Sequence, residues 1–563
     1  MATKPDPQDS AERTDVDPTL FVLPAQRLGV SGGTAPFFAL QLRDPPPGKS
    51  ADRYIGKDLS HATDEFDFYE KILRLRQAAE DDRESWVGPN RALLPLLEYA
   101  FEYAGVLTAQ EATDESDGGA NEEKTIDLLV MGNLRSGKQK LRMLDLKMGH
   151  LTAQGGWQGK THIRAARQNV MDAATNSTTE GFRLEGFDGM PDAIKSRLET
   201  ADVLKLMGEK PSPEMMKKVA RKAMQVMKGD SILSHFTDVH LDGYDNIDIS
   251  EIGTERYTPT ELAEIVLHQT TKQLLGLAVA CHGAPFPQKW IGSSIALGYD
   301  AGTLPRRSPS SEEALRASVL CHVFDWGRSE LNTHETYDAM TEVEKEDRKK
   351  FWGYYCSGVD RLALCSARAY WNRFGNTGGW STVTFQVKDY DSISADDFMG
   401  EATVAVSPTK TGQCLLKGGL LGKASMGTLS YSIEWHDAPD ESRLKGWWRV
   451  HVGQGTGLPI KDHLTKSSDP YCLVYARSSG GKFKFHQTTK TIEKNLNPTW
   501  DESFDLPVAR SESPLKQEFS VLGIDDFTDP KVLKQVLNDD VDKSSFSSWS
   551  SRLEKSARSL SED

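Results

Sequence analysis

Cysteine is scarce in this chain. Six occur in 563 residues, at positions 281, 321, 356, 365, 414 and 472, and no two form a Cys-x-x-Cys pair. That scatter excludes a disulfide framework and argues against a structural zinc site; buried reduced thiols and a cytoplasmic address are the expectation. A nuclear location stays open. Long apolar runs are also missing, and none reaches the roughly 20 residues needed to cross a bilayer. Met1 to Pro18 is acidic and rich in Pro and Asp, without the apolar core of a secretory signal. Positive charge is in deficit: 67 Lys and Arg against 82 Asp and Glu give a formal net charge of −15. Nucleic acid is therefore not expected as a partner, because phosphate backbones are bound by clustered cations.

What is present is ordinary globular composition, 38% hydrophobic and 26% charged, over a length that calls for about two to four domains. Residues 1–19 read as a disordered acidic tail. From 20 to 374, strand-like apolar runs mix with helical periodicity. After Gly375-Asn-Thr-Gly-Gly379 the spacing changes to alternation, with Val383, Phe385 and Val387 on one face. Two β-rich segments follow, 380–436 and 445–540. The Ser-rich, charged end, 541–563, reads as disordered or as a solitary helix.

Chemistry concentrates in Leu141-Arg-Met-Leu-Asp-Leu-Lys-Met-Gly149. This reads as a buried strand from which Asp145 and Lys147 leave on one face, since alternate strand residues point the same way. A carboxylate beside an ammonium can take a proton from a hydroxyl and steady a migrating phosphoryl group. That is the chemistry of a kinase acting on a small alcohol. Further features stand in the order that a two-lobed kinase needs. Gly29-Val-Ser-Gly-Gly33 can bring backbone close to phosphates. Lys57 precedes Glu65-Phe-Asp-Phe-Tyr-Glu70, a helix start able to carry the lysine's charge partner. Gly292-Ser-Ser-Ile-Ala-Leu297 reads as a strand beneath a nucleotide. Val323-Phe-Asp-Trp-Gly-Arg328 places Asp325 after an apolar strand, where a carboxylate can hold Mg²⁺. Lys160, Arg164 and Arg167 recur at intervals of four and three, which sets them on one helix face toward a polyanion. Lys217, Lys218, Arg221 and Lys222 form a looser second cluster.

Together these motifs resemble the inositol polyphosphate kinases over roughly Leu20 to Asn372. The P-x-x-x-D-x-K-x-G signature of that family is similar to Leu141–Gly149, with Leu141 at the proline position. Asn176-Ser-Thr-Thr-Glu-Gly-Phe-Arg-Leu-Glu-Gly186, Gly292-Ser-Ser-Ile-Ala-Leu-Gly-Tyr-Asp300, Phe324-Asp-Trp-Gly327 and Gly358-Val-Asp-Arg-Leu362 resemble its later motifs. The resemblance implies a small lobe, a hinge and a larger lobe, with ATP and Mg²⁺ in the cleft. Lys57 then binds ATP phosphates, Asp325 ligates Mg²⁺, and Ser294 lies in the nucleotide-facing strand. Asp145 orients or deprotonates the inositol hydroxyl and Lys147 contacts phosphate. Lys160, Arg164 and Arg167 bind the inositol phosphate substrate. At the hinge, Val130-Met-Gly-Asn-Leu134 carries Asn133 where the family has an acid that grips the nucleotide.

The two β-rich segments resemble C2 domains. Phe385-Gln-Val-Lys-Asp-Tyr-Asp391 with Asp397-Phe-Met-Gly400 is similar to a C2 loop and the later strands. Gly446 to Tyr475, with Asn495-Leu-Asn-Pro-Thr-Trp-Asp-Glu-Ser-Phe504, is similar to the earlier ones. Three arrangements fit this order: two truncated modules, a spliced chain, or one permuted sandwich. Asp-rich loops at a sandwich end supply oxygen ligands for Ca²⁺, which then bridges to anionic lipid. Asp389, Asp391 and Asp397 form one half of such a site and Asp462 and Asp469 the other. Lys482, Lys484 and His486 alternate along a strand and face phosphoinositide headgroups.

The expected architecture is thus an α+β two-lobed kinase-like domain of the inositol polyphosphate kinase fold, followed by an antiparallel β-sandwich, C2-like region. The expected function is an ATP-dependent inositol polyphosphate kinase targeted to membranes as a peripheral protein. The alternative is a non-catalytic lipid- or Ca²⁺-binding adaptor with a degenerate kinase fold. A protein kinase is a weaker third option, because no His-Arg-Asp catalytic loop is present.

Overall fold

The computed structural model describes residues 13–30, 35–80, 88–111, 125–189, 221–238, 251–390, 396–408, 410–418, 424–462, 466–479, 481, 483–511, 515, 518–519 and 543–562. The first lobe is an antiparallel sheet of β1 (Gln26–Val30), β2 (Pro36–Leu40), β3 (Tyr54–Asp58), β4 (Tyr103–Gln110) and β5 (Thr125–Gly132), in the order β1-β2-β3-β5-β4. Alternation gives it two apolar faces. One packs Phe21, Phe38, Leu107, Leu128 and Val130 together; the other receives Phe68, Tyr69, Ile72 and Leu75 of α1 (Thr63–Glu80). The expected N-terminal tail is ordered from Arg13 onward. Arg13 pairs with Asp127 at 2.8 Å, and the Val16 N–H donates to the Val106 carbonyl at 2.9 Å. Apolar Val16, packed against the sheet, outweighs the acidic composition around it.

The second lobe is built on β6 (Leu141–Met148), β7 (Phe182–Asp188), β9 (Ser294–Asp300) and β10 (Leu320–Phe324), in the order β10-β9-β6-β7; β8 (Lys289–Trp290) and β11 (Ser329–Glu330) form a short ribbon beside it. In β6, Leu144, Leu146 and Met148 are buried, while Asp145 and Lys147 face the other way. Helices α2 (His162–Ala173), α3 (Gly229–Phe236), α4 (Pro259–His282), α5 (Pro309–Ser318) and α6 (Glu342–Phe374) complete this lobe. The two longest, α4 and α6, each start at a threonine-glutamate capping box, which satisfies otherwise orphaned N–H groups. Among the described residues no helix is long and apolar enough to cross a membrane.

The remaining strands are β12 (Trp380–Asp389), β13 (Asp397–Ala405), β14 (Lys410–Gly418), β15 (Ala424–Asp437), β16 (Leu444–Thr456), β17 (Pro470–Ser478), β18 (Lys484–Thr488) and β19 (Thr499–Ala509). They run β18-β17-β12-β13-β14-β15-β16-β19, all antiparallel. Among the described residues only Glu401↔Lys417 joins β13 to β14, so two four-stranded halves fold over one core containing Val383, Phe385, Val474, Ile433, Val450 and Leu506. The two β-rich segments therefore complement each other: β12 lies between β13 of its own segment and β17 of the second.

The last helix, α7 (Lys543–Glu562), is not solitary. Trp549, Leu553 and Ala557, spaced four apart, are buried in the helical core, and the Trp549 Nε1–H donates to the Asp360 carbonyl at 3.0 Å. The sandwich is also fastened to the helices. Thr260 donates to Asp505 at 2.5 Å, Gln487 donates to Asp238 at 2.6 Å, and Trp447 is buried within the helical core. Arg443 reaches Glu264 at 3.5 Å and the His268 Nδ1 at 3.4 Å, and Arg316 donates to that same nitrogen at 3.1 Å.

Burial, then Arg443, Arg316 and Lys272, push the His268 imidazole down to about 2. A depressed pKa means that the unfolded chain binds the proton and the folded one does not. Stability from this group is thus complete above pH ~6.5 and falls as the solution is acidified below it, by about 2 kcal/mol between pH 7 and pH 5. Urea denaturation of His268→Gln over that range should show a flatter acid limb than the parent chain. An unchanged limb would remove His268 as its source.

Candidate functional site

Two charged regions emerge, one between the lobes and one on the sandwich. In the first, Lys57 on β3 meets Glu65 in the first turn of α1, Nζ to Oε1 at 2.5 Å. Burial raises the Glu65 carboxyl above its usual range, against the pull of Lys57 and Lys147. Across the cleft, Lys147 on β6 forms an ion pair with Asp325, which follows β10. Asp325 holds a left-handed backbone, φ +68°, which costs a non-glycine residue on the order of 1–3 kcal/mol and is tolerated best by Asp and Asn. This conformation turns the carboxylate from the strand end onto Lys147.

The two aspartates are shifted in opposite directions. Burial raises the Asp145 carboxyl; Lys147 and a hydrogen bond from Ser294 only partly offset it, while Asp325 and Glu185 add to it. One Asp145 oxygen, Oδ1, is buried without a hydrogen bond. Burial would also raise Asp325, but Lys147, Lys57 and Arg328 more than compensate and hold it below the usual carboxylate range. One carboxyl inclined to take a proton beside one that stays ionised is the division of labour that acid-base chemistry uses.

The structure thus brings together Lys57, Asp145, Lys147 and Asp325. Ser294, expected at the nucleotide, is buried and bonded to Asp145. Asn133, expected to grip the nucleotide, has both ends of its side chain occupied, one by the segment before β3 and one within its own loop. Its amide donates to the Asp52 carbonyl at 2.8 Å, and its Oδ1 accepts from the Arg135 N–H at 3.0 Å. Polar residues in a turn tend to be drawn into local bonds like the one from Arg135. Lys160 is lowered by burial, then by Arg328 and Arg164, so these cations lie within electrostatic reach of one another. Arg164 and Arg167 are exposed on α2. In the looser cluster, Arg221 pairs with Glu185 at 2.6 Å; Lys217 and Lys218, like residues 31–33 of the glycine turn, lie outside the described residues.

Arg328 was not among the expected site residues. Its carbonyl accepts from the Trp157 Nε1–H at 2.9 Å. A Cβ on Gly292 would stand 3.3 Å from its guanidinium and 3.7 Å from Lys147 Cε, and Gly292 has φ +73°, so glycine here lets both cations approach. The one sequence signal was position: Arg328 directly follows the Asp-Trp-Gly turn.

At the sandwich end, Asp389 closes β12. Its Oδ1 accepts from the Asp469 N–H at 2.5 Å, and the Asp469 Oδ1 accepts from the Lys494 N–H at 2.7 Å. Both aspartates are buried, and Asp397 stands opposite Asp389 in the ladder, exposed. The two segments do meet here. Asp462 instead bridges to Ser467 across its own loop, and Asp391 lies outside the described residues. Among the described residues no three His, Cys, Asp or Glu side chains gather tightly enough to hold a metal ion, here or at Asp325. Backbone amides already take oxygens of Asp389 and Asp469. On the outer face, Arg477 of β17 pairs in register with Lys484 of β18, and Tyr475 with His486; all four are exposed, and Lys482 lies outside the described residues. Like charges directly opposite are unfavourable unless an anion joins them.

A sequence model of the C2 domain matches residues 379–417 and 446–539. Protein C2-DOMAIN ABA-RELATED 1 of Arabidopsis thaliana is 34% identical over 86 residues, 15% of this chain and 46% of that protein. A protein of the same plant named calcium-dependent lipid-binding protein is 41% identical over 66 residues, 12% of each chain. The chain thus spans less than half the length of these relatives. A solved structure of inositol phosphate multikinase Ipk2 from S. cerevisiae, with ADP and Mn²⁺, aligns over 48% of this chain and 89% of that chain at 15% identity and a TM-score of 0.29. The C-terminal sandwich is C2-like.

Asp389→Ala should leave the buried Asp469 N–H without an acceptor and lower stability by about 1–3 kcal/mol, whereas Asp389→Asn keeps an oxygen in place and should lose less. Equal denaturation midpoints for the two variants would contradict this structural role.

Proposed function

We propose that this chain is a peripheral lipid-binding protein whose C2-like sandwich attaches it to anionic membranes from the cytoplasmic side. The observation that carries this reading is the exposed Arg477/Lys484 pair, two facing cations without a carboxylate between them in any described contact. Anionic headgroups neutralise such a pair, at about 1 kcal/mol per basic residue near the surface. The likeness of the sandwich to C2 domains supports assistance by Ca²⁺. The name of the calcium-dependent lipid-binding relative is consistent with it.

A second reading, ATP-dependent phosphoryl transfer to an inositol phosphate, is favoured by the opposite shifts of Asp145 and Asp325. In it, Lys57 would bind ATP phosphates and Asp325 would hold Mg²⁺, which would supply charge neutralisation at the phosphates. Asp145 accepts the hydroxyl proton, and Lys147, Lys160, Arg164, Arg167 and Arg328 bind phosphate. Backbone groups at the hinge take the role foreseen for Asn133, whose side chain is engaged.

Vesicle sedimentation tests the first reading. Binding to phosphatidylserine-containing vesicles should fall roughly thirtyfold in Arg477→Gln/Lys484→Gln, the equivalent of about 2 kcal/mol. Binding that ignores both the anionic lipid and these substitutions would exclude it. Transfer from labelled ATP to a panel of inositol phosphates tests the second. Asp325→Asn, which suits the left-handed backbone, should stay folded and lose turnover by about a hundredfold or more. If the parent chain transfers no phosphate, the lipid-binding reading stands without catalysis.

A further inference from the structure

Helix α2 has its inner side fixed. Asp172 is fully buried and accepts from the Thr152 N–H at 2.7 Å and from Arg183 at 2.6 Å, while Thr161 caps the N-terminus. With Ala165 and Asp172 turned inward, the 100° step per residue places Ile163, Arg167 and Val170 within one outward sector, flanked by Arg164 and Met171. The exposures agree: Ile163 84%, Val170 69%, Met171 37%, with Arg164 and Arg167 exposed among them. Isolated exposed apolar residues are ordinary, but three on one face of a short helix are not. Neither arginine meets a carboxylate in any described contact, and the one acid of the helix, Asp172, is on the buried side.

We propose that the outward face of α2 is a second membrane-contact surface, separate from the sandwich. Ile163, Val170 and Met171 enter the boundary between headgroups and acyl chains, and Arg164 and Arg167 bind the phosphates of anionic lipids. Apolar side chains interleaved with cations, without an acid, make up the composition of a helix that lies in a membrane interface. Charge argues against a second copy of this chain as the occupant. A two-fold contact sets the same patch against itself, so arginine would face arginine. The proposal needs no phosphoryl transfer and is tested without ATP.

The experiment uses the full chain with Ile163→Cys carrying an environment-sensitive fluorophore; five of the six native cysteines are buried and Cys414 is partly so. On vesicles of phosphatidylcholine with phosphatidylserine the probe should shift to the blue, and on phosphatidylcholine alone it should not. Arg164→Glu/Arg167→Glu should abolish the shift. Arg477→Gln/Lys484→Gln should weaken overall binding yet leave the shift at saturating lipid, which separates this surface from the sandwich. In the unlabelled chain without the Cys substitution, Ile163→Ser/Val170→Ser should weaken vesicle binding at least about tenfold. Three results would overturn the proposal. One is a probe that stays in a polar environment while the chain sediments with vesicles. Another is a probe already apolar before lipid is added, which means that the chain itself covers the face. The third is a doubled mass in light scattering that Ile163→Asp returns to the monomer, which assigns the face to a second copy.

Discussion

The ladder between β12 and β17 joins residues 380–389 to residues 470–478, segments separated by about 80 positions, and the C2-like sandwich depends on it. Neither β-rich segment contains a complete sandwich. Pairing them encloses one apolar core and sets Asp389 beside Asp469, while the neighbouring β17–β18 ladder holds Arg477 opposite Lys484. Because α6 ends at Phe374 and β12 begins at Trp380, this same strand also ties the sandwich to the longest helix of the body. Closing such a loop has an entropic cost that grows only slowly with its length, so the buried core of twenty-odd apolar side chains can hold it closed.

The interlobe cleft depends on a different balance. Burial acts on Asp145 and Asp325 in the same direction, and the placement of cations separates them. Three cations act on Asp325, whereas Asp145 has one lysine and two repelling carboxylates. The positive φ at Asp325 and the left-handed Gly292 are the backbone features that permit this crowding. Such strain at a polar cleft, within a well-packed surround, is where function is ordinarily sought.

Short-range patterns proved the most readable in the sequence. The alternation in Leu141–Met148 foretold which side of β6 is buried, and Lys57 and Glu65 lie close enough in sequence for their pairing to be expected. The partnership of Lys147 with Asp325, 178 residues apart, was reachable only through the order of motifs. Composition misled at both ends: Arg13 to Val16 run along β4 despite their polar neighbours, and α7 hides an apolar stripe within a Ser-rich segment. Asn133 and Ser294 were assigned by position in a motif, but hydrogen bonds to Asp52 and Asp145, distant in sequence, decide where their side chains go. Arg328 escaped notice because its significance lies in converging with Lys147 over Gly292, a tertiary fact. At the sandwich end, sequence counted carboxylates but did not show that backbone amides would occupy two of them.

In the proposed reading, the exposed Arg477/Lys484 pair on an otherwise acidic chain holds it to anionic membranes. Partition of the intact chain onto vesicles, followed as the fraction of anionic lipid rises at physiological salt and again at molar salt, tests this most directly. The account predicts a steep rise with anionic lipid and its collapse at high salt, because exposed charges are screened over a few ångströms there. Partition that is flat in lipid charge, or indifferent to salt, would contradict it.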